Sequence, residues 1–190
     1  NGDFEFPYGV AVSDTGQVYV VERQDTLFSR HIQRFDADGE YQVQWGEGGT
    51  GNGQVNQPFG VVVSDTGQVY VADTFNHRVQ RFDADGEYQT QWGSRGSDNG
   101  DFEFPYGVAV SDTGQVYVAD SGNHRIQRFD AEGNYQWQWG SQGSGNGQFA
   151  SPRGIAVSDT GQVYVVDTVN HRIQRFFDPD AWFSGTNTFV

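Results

Sequence analysis

The chain contains no cysteine, no methionine and no lysine among its 190 residues. Without cysteine it has no disulfide and no thiol nucleophile, which excludes Cys–His catalysis. All 11 basic residues are arginine, against 25 aspartates and glutamates, so the formal net charge is −14. We expect no nucleic-acid partner, because affinity for nucleic acid comes from neutralised phosphates. No apolar run approaches the ~18 residues of a membrane helix, so no membrane span is predicted.

Two interpretations of the acidic surplus stand side by side. Acid-rich surfaces without lysine resemble those of proteins from extreme halophiles, where salt screens self-repulsion. The other interpretation is the amplification of one acidic repeat. Because the chain lacks methionine and begins at a repeat boundary, we expect a fragment or a processed product. We also expect an extracellular or cell-surface location.

A repeated unit is the main feature of the sequence. Residues Asn1–Val20 are identical to Asn99–Val118, and weaker copies begin at Asn52 and Asn146. One proline in each unit gives spacings of 51, 47 and 47 residues, and these prolines are Pro7, Pro58, Pro105 and Pro152. A period near 47 with strand-like content is typical of a propeller blade. We therefore predict one domain over residues 1–190, with blades at approximately 1–51, 52–98, 99–145 and 146–190.

Each unit is predicted to contain four short strands. In the third unit these are an apolar inner strand at 107–110, further strands at 116–120 and 124–129, and an outer strand at 135–139 that alternates aromatic and polar residues. Turns rich in Asp, Ser and Gly separate them. No segment has helical periodicity, so the fold class is all-β.

The order of short motifs within the units resembles the NHL-repeat family of β-propellers. Each unit carries Pro-x-Gly before the inner strand, then Gly-Gln-Val-Tyr-Val, and Gln-Arg-Phe in the third strand. Three units carry an intact Asn-His-Arg, at 76–78, 123–125 and 170–172. The resemblance implies a β-propeller of four four-stranded blades, which closes alone or forms part of a larger ring or assembly. It does not settle function, because the family includes protein- and RNA-binding modules and related propellers include lyases and hydrolases.

Polar residues that recur in every unit are the first candidates for chemistry. The four histidines, His31, His77, His124 and His171, occur once per unit and could form a metal site in a central channel. The favoured interpretation is structural, with each histidine bonding locally at the start of the third strand, and we expect no metal and no cofactor. Asp73, Asp120 and Asp167 are predicted to pair with the Asn-His-Arg turn. Four arginines are predicted to find partners between blades, and these are Arg34, Arg81, Arg128 and Arg175.

Two other patterns are interpreted as turns. The Asp-Ala-Asp-Gly-Glu segments at 36–40 and 83–87 match the start of a calcium loop, but the bidentate Glu of the full loop is missing. The glycine-rich link at 46–51 lacks the Lys-Ser/Thr pair of a phosphate-binding loop and precedes no predicted helix.

Unit one differs from the others between its second and third strands. Its turn, Glu22–His31, is four residues longer, and function in repeat folds concentrates on loops held by a rigid scaffold. We predict Arg23, Asp25, Phe28 and Arg30 as partner-binding residues, although a neutral insertion explains the same length.

The C-terminal segment departs from the repeat after Phe176. It either caps the last blade as a degenerate outer strand or pairs with the sheet edge of another chain. In the second case the assembly residues are Trp182, Phe183, Phe189 and Val190.

Three functions fit the sequence. The favoured hypothesis is a non-enzymatic propeller, with no catalytic residues, that presents loops to a protein partner or assembles with itself into an oligomer or filament. The alternatives are a lyase or hydrolase with a metal in the channel, and a glycan-binding module that uses Trp45, Trp92 and Trp137.

Overall fold

A computed structural model describes residues 2–23 and 30–177 of the chain. Within them the chain forms strands and one short 3-10 turn, Thr74–Asn76. The strands are β1 (Phe6–Val12), β2 (Val18–Arg23), β3 (Arg30–Phe35), β4 (Tyr41–Trp45), β5 (Gly60–Val63), β6 (Val69–Asp73), β7 (Arg78–Phe82), β8 (Tyr88–Trp92), β9 (Pro105–Val110), β10 (Val116–Asp120), β11 (Arg125–Phe129), β12 (Tyr135–Trp139), β13 (Pro152–Val157), β14 (Gln162–Asp167) and β15 (Arg172–Phe177).

These strands form four antiparallel sheets, and each sheet uses strands that are consecutive in the chain. The first three blades are β1–β4, β5–β8 and β9–β12, and the fourth blade is β13–β15. The predicted all-β propeller is therefore confirmed. The predicted outer strand of blade 4 would fall in residues 178–190, outside the described residues.

The turns between strands are closed by residues that form hydrogen bonds with backbone groups of the same turn. In blade 2, Gly67 N–H donates to the Ser64 carbonyl over 2.8 Å, with Gly67 in the left-handed region at φ 77°. At the next turn, Asp83 Oδ1 accepts from the N–H groups of Asp85 and Glu87 at 3.0 and 2.9 Å. This carboxylate closes a hairpin, as the sequence interpretation of the Asp-rich segment predicts.

The hydrophobic core lies between blades. Each blade has a forward face, which packs on the next blade, and a backward face, which packs on the previous one. Between blades 1 and 2, Tyr19 and Ile32 of the forward face are buried against Val71 and Phe82 of the backward face. The same pairing of faces recurs between blades 2 and 3 and between blades 3 and 4. One four-stranded sheet cannot bury both of its faces alone, and radial stacking solves this.

The inner strands β1, β5, β9 and β13 approach one another closely because each carries a glycine. A Cβ added to Gly9 would lie 2.3 Å from the Phe59 carbonyl oxygen, and one added to Gly60 would lie 2.5 Å from that of Tyr106. A side chain at either position would push neighbouring blades apart.

Arginines join adjacent blades at the other end of the sheets. Arg34 donates to the Ala84 carbonyl of blade 2 and lies 3.1 Å from Asp85. Arg81 donates to the Ala131 carbonyl of blade 3 over 2.6 Å. The prediction of arginine partners between blades is confirmed for this pair.

Candidate functional site

A buried aspartate at the end of the second strand organises each of blades 2 to 4. In blade 2, Asp73 accepts hydrogen bonds from the Asn56 N–H at 2.6 Å, Asn76 at 2.9 Å, Arg78 Nε at 2.7 Å and Gln80 at 3.1 Å. The predicted pairing of this aspartate with the Asn-His-Arg turn is confirmed. Every donor in the group belongs to the blade or to the link before it, so the arrangement is structural.

The arginine of this group fastens the link between blades. Arg78 donates to the carbonyl oxygens of Gly51 and Gln54 at 2.8 and 2.7 Å. Arg125 and Arg172 hold the next two links in the same way. The links therefore enter each inner strand in a fixed position, and any site built there has a rigid base.

Burial affects the equivalent aspartates differently. Burial raises the pKa of Asp73 and Asp120, against the opposing effect of their hydrogen-bond donors. Burial also acts to raise the pKa of Asp167, but the hydrogen bonds from the Ala150 N–H, Asn170 and other donors outweigh it and lower that pKa.

Two of the repeated histidines bond to the following repeat. His77 Nδ1 accepts from the Phe104 N–H, and His124 Nδ1 accepts from the Ser151 N–H, each at 3.1 Å. The prediction of a local bond at the start of the third strand is therefore wrong for these two histidines, because each Nδ1 bonds the backbone that leads into the next blade.

The prediction that His31 is the blade 1 equivalent of the other histidines is wrong. The sheet register places His31 opposite Glu22, in the position where Arg78 lies opposite Asp73. Arg30 and His31 stand in reversed order relative to the His-Arg pairs of the other blades, and this order identifies the shift in the printed sequence.

A row of side chains, one from each blade, lies along the inner strands. The rings of Tyr8 and Phe59 have centroids 4.4 Å apart, and those of Phe59 and Tyr106 are 4.7 Å apart. The row ends with the Arg153 guanidinium, whose central carbon lies 4.7 Å from the centroid of Tyr106. These four residues are called the inner row.

The inner row lines an open groove of about 460 Å³. Val10, Val61 and Val108 and the inner-strand glycines form the rest of its wall. The sequence interpretation missed this site because the row occupies the variable position between the conserved proline and glycine of each unit. The recurrence of Tyr, Phe and Tyr at that position is the signal that could have found it.

The strands that flank the longer turn of blade 1 meet it at the same end of the sheets as the inner row: β2 ends at Arg23 and β3 begins at Arg30. Arg23 and Arg30 are the last and first residues of β2 and β3 and pair with each other, and Phe6 pairs with Arg23 on the other side. Asp25 and Phe28 lie outside the described residues. Arg23 and Arg30 therefore lie at the end of blade 1 where β1 begins, close in sequence to Tyr8.

The remaining predicted residues fall into two groups. Trp182, Phe183, Phe189 and Val190 lie outside the described residues. Of the tryptophans in the glycan hypothesis, Trp45 and Trp92 pack between blades against Phe82 and Phe129, with ring centroids 6.1 and 5.8 Å apart. Trp137 is exposed on β12 and stacks on Trp139.

Within residues 2–23 and 30–177, no cluster of three or more His, Asp or Glu side chains is arranged to hold a metal ion. The same part of the chain contains no helix long and apolar enough to cross a bilayer.

Comparison with known protein families identifies the same repeat that the sequence motifs resemble. The sequence profile of the NHL repeat matches residues 55–82, 102–129 and 149–176, which run from the link through the third strand of blades 2, 3 and 4. The chain contains NHL repeats. NHL repeat-containing protein 3 from Homo sapiens is 35% identical over 75 residues, and the mouse protein is 33% identical. Each match spans 38% of this chain and 21% of the relative, so the matched segment covers about a fifth of the length of those proteins.

Several solved structures are similar to this chain in fold. A streptogramin B lyase superimposes with a TM-score of 0.68 at 17% identity, over 90% of this chain and 51% of the lyase. A catalytically inactive virginiamycin B lyase from Staphylococcus aureus, solved with quinupristin, gives 0.65 at 18% identity, over 91% and 53%. A hydrazine synthase from Kuenenia stuttgartiensis gives 0.67 at 17% identity, over 94% and 48%. At these identities the likeness shows the propeller fold alone.

Proposed function

We propose that the chain is a binding propeller without a catalytic centre of its own, and that it holds an extended peptide segment of a protein partner along the inner row. The inner row is the observation that carries this proposal. Three aromatic rings in mutual contact and one arginine form a continuous strip on the wall of an open groove. Tyrosine and arginine are enriched among the residues that dominate protein interfaces.

The positions at which the four repeats differ in sequence support a binding role. The proline and glycine that flank the inner row are the same in all four units, whereas the row itself reads Tyr, Phe, Tyr and Arg. The rigid scaffold is thus repeated, and the exposed position varies. A strip of this kind distinguishes one end of a bound peptide from the other, because only Arg153 carries charge.

The bonding of the recurrent polar residues also favours binding over catalysis. Asp73, Asp120 and Asp167 each accept several hydrogen bonds from their own blade and link. The likeness to two lyases is one of fold, so it does not extend lyase activity to this chain. Where the loop Glu22–His31 touches a partner, we propose that it contacts a segment leaving the groove at the Tyr8 end.

Selection from a displayed library of random peptides tests the proposal. Peptides enriched on the wild-type chain should bind Tyr106→Ala at least about tenfold more weakly, a loss of about 1.4 kcal/mol. Trp137→Ala is the matched control, because it removes an exposed aromatic ring from an outer strand. A selection that yields no peptides, or only peptides that bind Tyr106→Ala as well as the wild type, would contradict the proposal.

A further inference from the structure

Each link between blades contains an Asn-Gly pair at the centre of a tight turn. The three pairs are Asn52-Gly53, Asn99-Gly100 and Asn146-Gly147. In the first link the Gln54 N–H donates to the Gly51 carbonyl over 3.1 Å, and the same bond closes the turns at 98–101 and 145–148. The three glycines have φ of 76°, 90° and 77°, as the third position of a type II turn requires. The turn therefore needs a glycine directly after the asparagine.

An Asn-Gly pair is chemically reactive. The glycine nitrogen, after it loses its proton, attacks Cγ of the asparagine side chain. An N–C bond forms, the bond from Cγ to the side-chain nitrogen breaks, and ammonia leaves. Water then opens the resulting succinimide ring to give aspartate or isoaspartate. Glycine has no side chain to hinder the attack, and the asparagine is exposed to water in all three links.

A buried glutamine holds the attacking nitrogen in each link. In blade 3, Gln127 Oε1 accepts from the Gly100 N–H at 2.9 Å, and the Gln127 side chain is completely buried. The same bond joins Gln80 to Gly53 and Gln174 to Gly147, at 3.0 and 2.9 Å. The proton that must leave before the attack is therefore held by an acceptor inside the blade.

The other end of the glutamine fixes its orientation. Gln127 Nε2 donates to the Asp101 carbonyl at 2.6 Å and to Asp120 Oδ2 at 3.1 Å. A carbonyl and a carboxylate only accept hydrogen bonds, so the amide nitrogen faces them and Oε1 faces Gly100. Asp120 is itself buried and held by Arg125 at 2.7 Å. The acceptor for the glycine N–H thus belongs to a buried network.

We infer that the three asparagines are latent sites of deamidation, and that the buried glutamine opposite each glycine suppresses the reaction in the folded chain. The pairs are Asn52 with Gln80, Asn99 with Gln127 and Asn146 with Gln174. The glycine nitrogen must leave the glutamine and turn toward the asparagine side chain, a movement that the closed turn resists. The rate therefore falls with the fraction of time that the link is open. Peptide binding in the inner row plays no part in this suppression.

Deamidation alters the link at the point where arginine fastens it. Arg125 Nη2 donates to the carbonyl oxygens of Asp98 and Asp101 at 2.8 and 2.9 Å, on either side of the Asn-Gly pair. Isoaspartate adds a methylene group to the backbone between these carbonyls, so one guanidinium no longer reaches both in the same geometry. The reaction also adds negative charge to a chain whose formal net charge is −14. It therefore converts a transient opening of one link into a lasting one.

Tryptic mapping of the 190-residue chain measures the three sites separately. Trypsin cuts this chain only at arginine, so each pair lies in its own peptide, at 35–78, 96–125 and 129–153. At neutral pH the folded wild type should deamidate at each site at least about tenfold more slowly than the urea-unfolded chain, a factor that corresponds to about 1.4 kcal/mol of opening free energy. Equal rates in the folded and unfolded chains would overturn the inference.

Gln127→Leu removes the acceptor from one link. Asn99 should then deamidate at least about tenfold faster than in the wild type, while the other two sites keep their rates. Gln138→Leu is the matched control, because Gln138 Oε1 accepts from Arg125 at 2.6 Å, and its loss leaves the acceptor of the Gly100 N–H in place. An unchanged rate at Asn99 in Gln127→Leu, or an equal increase in Gln138→Leu, would overturn the inference.

Hydrogen exchange of the wild-type chain gives a result that does not depend on how well a variant folds. Removal of the glycine N–H proton begins both exchange and deamidation, so one opening of the link controls both. Urea below the unfolding transition should raise exchange at Gly100 and deamidation at Asn99 by the same factor. Reaction at all three sites together in Gln127→Leu would mean that this variant is unfolded, and the exchange result then decides. Deamidation of Asn99 while the Gly100 amide stays protected would overturn the inference.

Discussion

Arg78 and Asp73 lie opposite each other on β7 and β6, with Arg78 Nε donating to Asp73 Oδ2 over 2.7 Å while both side chains are almost completely buried. Removing the arginine would leave a buried carboxylate without its cation and would free the link at 51–54. We expect Arg78→Met to lower the free energy of unfolding by roughly 3–5 kcal/mol.

Urea denaturation measures this loss, and Arg172→Met is the matched control in blade 4. The Arg172 side chain is 28% exposed, so its loss should be smaller, about 1.5–3 kcal/mol for a hydrogen-bonded charge. Equal losses at the two positions would show that burial does not set the strength of this contact.

The contributions of Asp73 in blade 2 and Asp167 in blade 4 to folding stability should change with pH in opposite directions. The pKa of Asp167 is lowered in the folded chain, so its contribution to stability is present above the unfolded-state pKa of about 3.9 and is lost as pH falls through the folded pKa. The pKa of Asp73 is raised, so its contribution is present below the unfolded-state pKa and is lost as pH rises through the folded pKa.

Urea unfolding of Asp167→Asn and Asp73→Asn between about pH 6 and about pH 3 measures these slopes. On acidification, the advantage of the wild type over Asp167→Asn should shrink and that over Asp73→Asn should grow. Parallel slopes would contradict the expected difference between the two sites.

Gly107 and Gly154 occupy the same position in neighbouring inner strands but face different surroundings. A Cβ on Gly107 would lie 2.2 Å from the Arg153 carbonyl oxygen, so Gly107→Ala should destabilise the chain by about 2 kcal/mol or more. Gly154→Ala should cost less than about 1.5 kcal/mol, because its nearest neighbour would be the Val166 side chain, at 2.9 Å, and no backbone atom. Urea denaturation of the two variants measures the difference, and equal losses would contradict it.

The longer turn of blade 1 offers a test of the partner loop. Replacing Leu27 to Arg30 so that the turn matches the shorter turns of the other blades should weaken peptides that extend beyond Tyr8, while short peptides bound at Tyr106 should keep their affinity. Isothermal titration with a long and a truncated form of one selected peptide measures both effects. Unchanged affinity of the long form would mean that the insertion is neutral.

The strands were predictable because their signals are local. In the third unit, the expected strands at 116–120 and 135–139 coincide with β10 and β12, and the other two agree with β9 and β11 within two residues. Two local signals are enough to predict the strands: the short apolar or alternating runs, and the turn residues between them that hydrogen-bond to their own backbone.

The inner row was not predictable from the same signals. Tyr8, Phe59 and Tyr106 are about 50 residues apart, and they meet only because glycines let the inner strands approach. The error at His31 has a related cause, since equivalence between blades is decided by the pairing of Glu22 with His31 and not by residue type. The radial stacking that places these residues is a property of several blades together.

Each blade packs only against the blades next to it in sequence, and this also determines the order in which parts of the molecule unfold locally. Stability in such an array is approximately a sum of terms from each unit and each adjoining pair. Within residues 2–23 and 30–177, blades 1 and 4 each pack on one described blade, so we expect them to separate first. Amide hydrogens of β6 and β10, in the middle of the array, should then exchange most slowly with solvent, and those of β1 and β15 most rapidly. Inserting a further repeat between blades 2 and 3 would add one more such term and lengthen the protected centre without disturbing the existing contacts elsewhere in the chain.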